Sequence, residues 1–252
     1  LRQAQGEAID MQDADIRERL ASFGALADEK LPIAEAALWL AKLDLPLANI
    51  GSYLHHMKVI ADDVAAAARG INHLRERVAA LRDVIYRHHG YTGDDKSYDD
   101  VQNANLMRVI DRRKGLPVAL GILAIQGARR QGWDIAGLNF PGHFLLRMQM
   151  EGENVLLDPF TGLRRVSIDQ LKPLLQRVHG RDVQLRAEFI RSVSDREVIL
   201  RLQNNIKARA LASGDALRAI DVVESMMLIA PTDVALGDEL AALRSRLKGK
   251  LH

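Results

Sequence analysis

Apolar residues recur at the spacing of an α-helix through the first 130 residues and again beyond residue 195. Positions three and four apart lie on one face of a helix, so these segments are predicted to be amphipathic helices. One more helix is predicted between these two regions, and Ser167 and Gln170 form a capping box at its start. The predicted helices cover residues 32–41, 48–68, 72–89, 104–113, 116–131, 168–178, 196–212, 215–229 and 233–248.

One predicted helix differs from the others because its apolar residues are not confined to one face. Residues 116–131 read LPVALGILAIQGARRQ, and the first ten carry no polar side chain. A helix that is apolar on all sides is a buried helix. Gly121 and Gly127 each cost about 1 kcal/mol of helix propensity relative to Ala. Close approach of a neighbouring backbone would offset this cost, so we predict that this is the central helix of the core.

The pattern changes to short alternating segments after Gly132. Strands are predicted over residues 133–139, 144–150, 154–160 and 183–190, with a hairpin turn at Glu151, Gly152 and Glu153. The order of helices, a small antiparallel sheet and further helices predicts an α+β fold. We divide the chain into an N-terminal helical region (1–100), a core (101–192) and a helical tail (193–252).

His143 and Asp158 flank the predicted hairpin. With a tight turn centred on Gly152 and Glu153, side-chain alternation places both on the same face of neighbouring strands. Twist or a bulge would be needed to bring them into hydrogen-bonding contact. Three of the five Phe residues lie within three positions of the pair: Phe140, Phe144 and Phe160. The pair is either a structural His–Asp contact or the orienting part of a nucleophile–His–Asp triad.

Composition narrows the possible functions. Apolar residues make up 48% and charged residues 27% of the 252, as in globular proteins, and the net charge of +2 does not indicate a nucleic-acid binder. The chain has no cysteine, which excludes disulfides, thiolate metal sites and a cysteine nucleophile.

The longest apolar run, residues 116–125, is far shorter than the roughly 20 residues of a membrane span. With no signal-peptide pattern, we expect a cytoplasmic protein without a membrane partner.

Several stretches carry a family resemblance. NANLMRVIDRRKGLPVALGILAIQGARRQG, FPGHFLLRM and LLDPFTG are the most specific, and LPIAEAALWLAKLDLP, YRHHGYTGDDKSYDDVQNANL and LRLQNNIKARALASGD fit the same pattern. Together they resemble the bacterial transglutaminase-like family whose members carry a tetratricopeptide-like helical tail. The resemblance implies a papain-like core with a small antiparallel sheet.

The resemblance also implies roles for particular residues. Active members hold a Cys at the N-terminus of the central helix, where the helix dipole favours the thiolate, and a His and an Asp support it. His143 and Asp158 match the supporting pair, whereas the nucleophile position near residues 117–119 reads Pro-Val-Ala. The binding residues expected from this resemblance are Asn103, Arg113, Pro117, Ala119, Phe140 and Phe160.

Other charged clusters are interpreted as ordinary surface. His88 and His89 precede a loop with four aspartates (Asp94, Asp95, Asp99 and Asp100), but the spacing matches no calcium loop. Arg112, Arg113 and Lys114 indicate a solvated turn or a carboxylate partner. We therefore expect no metal ion and no cofactor.

The leading hypothesis is a non-catalytic pseudoenzyme that acts as a protein- or peptide-binding, regulatory module. The alternative is a hydrolase or amidase in which His143 and Asp158 activate a water molecule. A third option is a metal held by His143, Asp158 and a loop carboxylate. We expect a protein or peptide partner, no nucleic acid, and a monomer or homodimer.

Overall fold

The structure is a computed structural model that describes residues 2–180 and 183–249. This part of the chain forms ten α-helices and six short strands, which confirms the predicted α+β class. The helices are α1 (Arg2–Gly24), α2 (Ile33–Lys42), α3 (Ile50–Ala67), α4 (Leu74–Arg82), α5 (Leu106–Arg112), α6 (Pro117–Arg129), α7 (Ile168–His179), α8 (Asp195–Ala212), α9 (Ala216–Ile229) and α10 (Val234–Gly249). The strands are β1 (Thr92–Gly93), β2 (Lys114–Gly115), β3 (Asp134–Gly137), β4 (Leu146–Met150), β5 (Glu153–Asp158) and β6 (Arg164–Val166).

The central helix is α6, as predicted. Its side chains are buried from Pro117 to Ile125, so the helix contacts protein on every side. Strands β3 to β6 form an antiparallel sheet in chain order, and one face of this sheet packs on the same core as α6. α7 covers the other face through a second, smaller apolar cluster. That cluster contains Leu138, Phe140, Leu145, Leu171 and Leu175.

Helices from both ends of the chain share the main core. α1 and α2 pack on each other, and α9 packs on α1, α8 and α10. One continuous apolar cluster includes Leu20 of α1, Leu123 of α6 and Val223 of α9. The helical tail is therefore attached to the core by burial, while the three-part domain division stays a prediction from sequence.

The hairpin between β4 and β5 differs in register from the prediction. The structure pairs Met150 with Glu153, so Glu151 and Gly152 form the two-residue turn. Both have positive φ, 50° and 85°, which matches the twist of a tight antiparallel hairpin. The centre of the turn is thus one residue earlier than expected. Because paired positions shift by two, each side chain keeps its predicted face.

Two other predicted elements need correction. Residues 183–190 form no strand where the structure describes them; Ala187–Ile190 is a 3₁₀ turn. Their apolar side chains, including Leu185 and Phe189, pack on the second cluster instead of pairing with the sheet. The helix predicted over 72–89 begins at Leu74 and continues beyond α4 as a π-helix, Asp83–His88.

Membrane insertion finds no support in the described helices. Each helix in residues 2–180 and 183–249 is either too short or too polar to cross a bilayer.

Gly121 permits the close contact between α6 and the loop before β4. A Cβ atom at this position would overlap the ring of Phe144, which is 3% exposed. We expect Gly121→Ala to lower the free energy of unfolding by about 1–3 kcal/mol in urea titrations, because overpacking outweighs the gain in helix propensity. Gly237→Ala in α10, where a Cβ meets nothing within 4 Å, is the control and should be neutral or stabilising. A Gly121→Ala protein as stable as the parent would contradict this packing account.

Candidate functional site

The structure brings His143 and Asp158 together. His143 lies in the loop between β3 and β4, three residues before β4 begins, and not on a strand as predicted. Asp158 is the last residue of β5. The His143 Nε2 atom is 3.1 Å from Asp158 Oδ2, and the two side chains are 22% and 10% exposed. The loop, which turns at Gly142 with φ 70°, closes the gap that straight strands would leave.

The contact between these two residues is not a well-formed hydrogen bond. His143 Nε2 is buried and lacks a hydrogen-bond partner of acceptable geometry within the described chain, despite its distance from Asp158. The other carboxylate oxygen, Oδ1, accepts the backbone N–H of Phe160 at 2.8 Å. The carboxylate is therefore held by its own strand end, and the imidazole is oriented mainly by its loop.

Tyr86 supports the backbone next to Asp158. Its hydroxyl donates a hydrogen bond to the carbonyl of Pro159 at 2.6 Å. Burial, followed by the charge of Asp158, raises the pKa of Tyr86 above its ordinary value. The tyrosine therefore stays a neutral donor that fixes the end of β5.

The N-terminus of α6 carries no attacking group. Leu116 is the N-cap, and Pro117, Val118 and Ala119 follow it; all four are buried. The backbone N–H of Leu116 donates to the carbonyl of Asn103 at 2.9 Å. Residues 116–131 contain no Cys, Ser or Thr. The position that the family resemblance assigns to a nucleophile is therefore filled by hydrocarbon.

The three Phe residues near His143 and Asp158 in sequence pack in three different places. Phe144 packs against Gly121 of α6 and Gly137 of β3. The ring of Phe160 lies against Gly93 and meets that of Tyr98 edge-on, with centroids 5.7 Å apart. Phe140 is fully buried in the second cluster, under α7. Phe140 and Phe160 were predicted to bind a ligand, but Phe140 has no exposed surface with which to do so.

Asn103 holds the start of α6 through hydrogen bonds. Its side chain is fully buried and donates from Nδ2 to the carbonyl of Ser97 at 2.6 Å. Its Oδ1 accepts a hydrogen bond from Arg112 Nη1 at 3.1 Å. Since its own carbonyl holds Leu116, Asn103 ties the 94–103 loop to α5 and α6. The structure thus gives this predicted binding residue a positioning role.

A buried ion pair also ties this loop to α5. Arg112 Nη2 is 3.1 Å from Asp94 Oδ2, and the Asp94 side chain is only 2% exposed. Burial by itself raises the pKa of Asp94, but hydrogen bonds such as that from Ser97 N–H, and the nearby cations, bring the pKa below its ordinary value. Neither residue was singled out as a site residue from sequence. One signal of this contact was present in the sequence, the expectation that the basic turn at residues 112–114 has a carboxylate partner.

Arg113 binds two side chains from other elements. It has a left-handed backbone, φ 58°, where α5 ends. Its Nη1 donates to the hydroxyl of Tyr91 at 2.5 Å and contacts Nε2 of His56. Burial, followed by the charge of Arg113, lowers the pKa of His56 to about 4, and burial raises the pKa of Tyr91 to about 12. Arg113 therefore joins α3 and the end of α5 to the residue before β1, and its guanidinium is engaged by the protein.

Two arginines of α8 hold the loops on either side of the site. Arg201 Nη2 donates to the carbonyl of Phe140 at 2.8 Å, and its guanidinium lies 5.5 Å from the centroid of the Phe144 ring. Arg209 Nη2 donates to the carbonyl of Tyr98 at 2.9 Å. Burial lowers the pKa of Arg201. Their spacing of eight residues places both on one helix face, a pattern that sequence analysis did not connect with the site.

Asp158 lines one cavity, and the loop that carries His143 contributes to a second. One of about 380 Å³ is lined by Asp158, Thr161, Arg164 and Gln170. The other, about 420 Å³, includes Gly142 of the histidine loop together with Arg201. Neither cavity is lined by His143, nor by Pro117, Val118 or Ala119 at the start of α6.

A family model described as "Transglutaminase-like superfamily" matches residues 51–204, more than half of the chain. The chain belongs to the transglutaminase-like superfamily. The predicted family is thereby confirmed, and its range covers α6, His143, Asp158 and the first part of α8. Within this transglutaminase-like protein, the supporting His–Asp pair is present and a nucleophile at the head of α6 is not.

Two bacterial relatives are similar to this chain over most of their length. A UPF0162 protein of Pseudomonas aeruginosa is 31% identical over 229 residues, which is 91% of this chain and 83% of the relative. A UPF0162 protein of Xylella fastidiosa is 27% identical over 188 residues, 73% of this chain and 67% of that protein. Human F-box only protein 21 is 33% identical over 81 residues, only 13% of its length. No solved structure matches the chain.

Removing Arg112 tests the buried ion pair with Asp94. We expect Arg112→Ala to lower the free energy of unfolding by about 3 kcal/mol, because Asp94 would stay buried without its cation. The measurement is urea unfolding followed by circular dichroism. Arg87→Ala is the matched control, since Arg87 is 71% exposed in its ion pair with Asp83, and it should cost less than about 1 kcal/mol. Equal effects of the two substitutions would refute a special role for the buried pair.

Proposed function

We propose that this transglutaminase-like protein is a non-catalytic, cytoplasmic module that binds an extended peptide or protein segment and acts as a regulatory pseudoenzyme. The observation that carries the proposal is the buried Pro117-Val118-Ala119 start of α6. Covalent acyl transfer needs an attacking sulfur or oxygen at a positive helix end, with the imidazole as its base. Here the imidazole has a neighbouring carboxylate but no nucleophile to activate.

The free edge of the sheet at β6 supports peptide binding. A cavity of about 790 Å³ runs along β5, β6 and the start of α7, and Arg147, Arg165 and Ile168 line it. β6 is the last strand of its sheet and pairs only with β5 in the described chain. An exposed strand edge offers backbone donors and acceptors to an added strand. The combination of an edge, two arginines and the 66%-exposed Ile168 fits an extended segment with acidic and apolar side chains.

The charge arrangement favours an acidic partner over a basic one. Arg165 is exposed, and Arg147 donates to the hydroxyl of Ser192 at 2.6 Å, which fixes its guanidinium beside the cavity. Like charges brought together at an interface cost several kcal/mol, so these arginines would reject a basic segment. We propose that the chain engages this partner as a monomer or homodimer and takes no part in nucleic-acid binding.

A second candidate function is hydrolysis by a water molecule that His143 activates. The favourable observation is that the His143 side chain is 22% exposed while Asp158 lies 3.1 Å from it. The cavity beside Asp158 would admit water and a small polar group. This candidate lacks an identified oxyanion donor, which is why we place it second.

His143→Ala separates the two functions. We expect the substitution to lower the free energy of unfolding by about 1–3 kcal/mol, because Asp158 loses its neighbour. We also expect no change in the hydrolysis of peptide amide and ester substrates, measured at high protein concentration for both proteins. His73→Ala, on the exposed residue before α4, is the control. A turnover that disappears in a stably folded His143→Ala protein would establish the hydrolase function instead.

Selection from a random peptide display library tests the binding function. The full chain should enrich extended peptides with Asp or Glu beside apolar residues. For an enriched synthetic peptide, Arg165→Glu should weaken affinity at least about tenfold through like-charge repulsion. Arg75→Glu makes the same charge change on an exposed residue of α4 and should leave affinity unchanged. No enrichment, or equal binding to both variants, would contradict a peptide site on this sheet.

A further inference from the structure

A cluster of two histidines and one aspartate lies away from the His143 loop. Asp63 is on α3, and His88 and His89 lie where the π-helix after α4 ends. His89 Nε2 is 2.8 Å from Asp63 Oδ2, and His88 Nε2 is 3.8 Å from the same oxygen. One ligand atom from each residue lies within 4.8 Å of the other two. The four loop aspartates considered from sequence are not part of this cluster; its carboxylate comes from a different helix.

The π-helix explains how adjacent histidines reach the same carboxylate. Neighbouring residues in an α-helix point about 100° apart. Here the backbone N–H of His89 bonds to the carbonyl of Val84, five residues earlier, which widens the last turn. The two imidazole rings meet edge-on, with centroids 4.9 Å apart, and both face α3.

The distances fit a small divalent ion. Ligands at 2.0–2.2 Å from a tetrahedral Zn²⁺ are about 3.4 Å from one another. The two separations from Asp63, 2.8 and 3.8 Å, lie on either side of that value, and the ligand nitrogens of the two histidines lie within 4.8 Å of each other. The His88 side chain is 69% exposed and can change rotamer, whereas the His89 side chain is only 10% exposed. One ligand is therefore fixed and one can adjust.

Neighbouring side chains orient His89, and none of those that the structure describes competes with the two histidines for the Asp63 carboxylate. His89 packs edge-on against His56 at 5.4 Å, and His56 is itself held by Tyr91 and Arg113. The neighbouring carboxylate, Asp62, is engaged by Lys58 at 2.5 Å. Among the described residues, the Asp63 carboxylate has no Lys or Arg partner and contacts only the two histidines.

We propose that Asp63, His88 and His89 form a binding site for one divalent transition-metal ion of the zinc class. Imidazole nitrogen and carboxylate oxygen suit Zn²⁺, Co²⁺ and Ni²⁺, and the absence of thiolates argues against a site for soft Cu⁺. Three protein ligands leave one position of a tetrahedral ion to water. The ion would join α3 to the end of the π-helix that follows α4. Its three ligands lie far from His143 along the chain.

Equilibrium dialysis with Zn²⁺ and absorbance of the Co²⁺ form test this site on the full chain. We expect one bound ion per chain and a tetrahedral Co²⁺ spectrum. His88→Ala should weaken Zn²⁺ binding at least about tenfold, and Asp63→Asn should do likewise. His88 is exposed, so its removal should leave the fold intact, which circular dichroism would check.

His55→Ala is the matched control, because His55 is an exposed histidine of α3 outside the trio. It should bind Zn²⁺ as the parent does. Binding that is absent in the parent, or that is unchanged by both His88→Ala and Asp63→Asn, would overturn the proposal. In the first case the trio is only a His–Asp ion pair, and in the second the ion binds elsewhere.

Discussion

The complete burial of α6 is the constraint on which the rest of the structure depends. A helix without a polar face must be surrounded by apolar surface on every side. α2, α3, α4, α8 and the sheet each supply part of that surface. Because Gly121 has no side chain, the loop that carries His143 can approach the helix through Phe144. The position of the His–Asp pair therefore follows from how the central helix is enclosed.

Much of the fold could be predicted from sequence because the periodic patterns were long and strong. α3, α6, α8 and α9 lie within about two residues of their predicted limits, and the sheet has its predicted strands from β3 to β5. The strand predicted over residues 183–190 is wrong, because alternating apolar residues can pack on a helix as well as pair in a sheet. The π-helical turn was not distinguished from α-helix, since the sequence predicts a single helix over residues 72–89.

The site was only partly predictable, for reasons of distance along the chain. The contact of His143 with Asp158 followed from a local hairpin, with a loop supplying the last few ångströms. The Asp94–Arg112 pair and the carbonyl contacts of Arg201 and Arg209 join residues far apart in sequence, which no local pattern encodes. The expected binding residues Asn103 and Arg113 proved to be engaged within the protein. Residues of a family motif can thus position other parts of the protein instead of contacting a ligand.

The attachment of α8 has a consequence for how this surface can change. Arg201 and Arg209 donate hydrogen bonds to main-chain carbonyls, at Phe140 and Tyr98, and their guanidinium groups also lie over the rings of Phe144 and Tyr98. A carbonyl is present whatever residue occupies the position. These two hydrogen bonds therefore do not depend on which side chains stand at positions 140 and 98, whereas the ring contacts do. The path of each loop is thus fixed in part by its backbone, and side chains that no guanidinium contacts are free to vary along it.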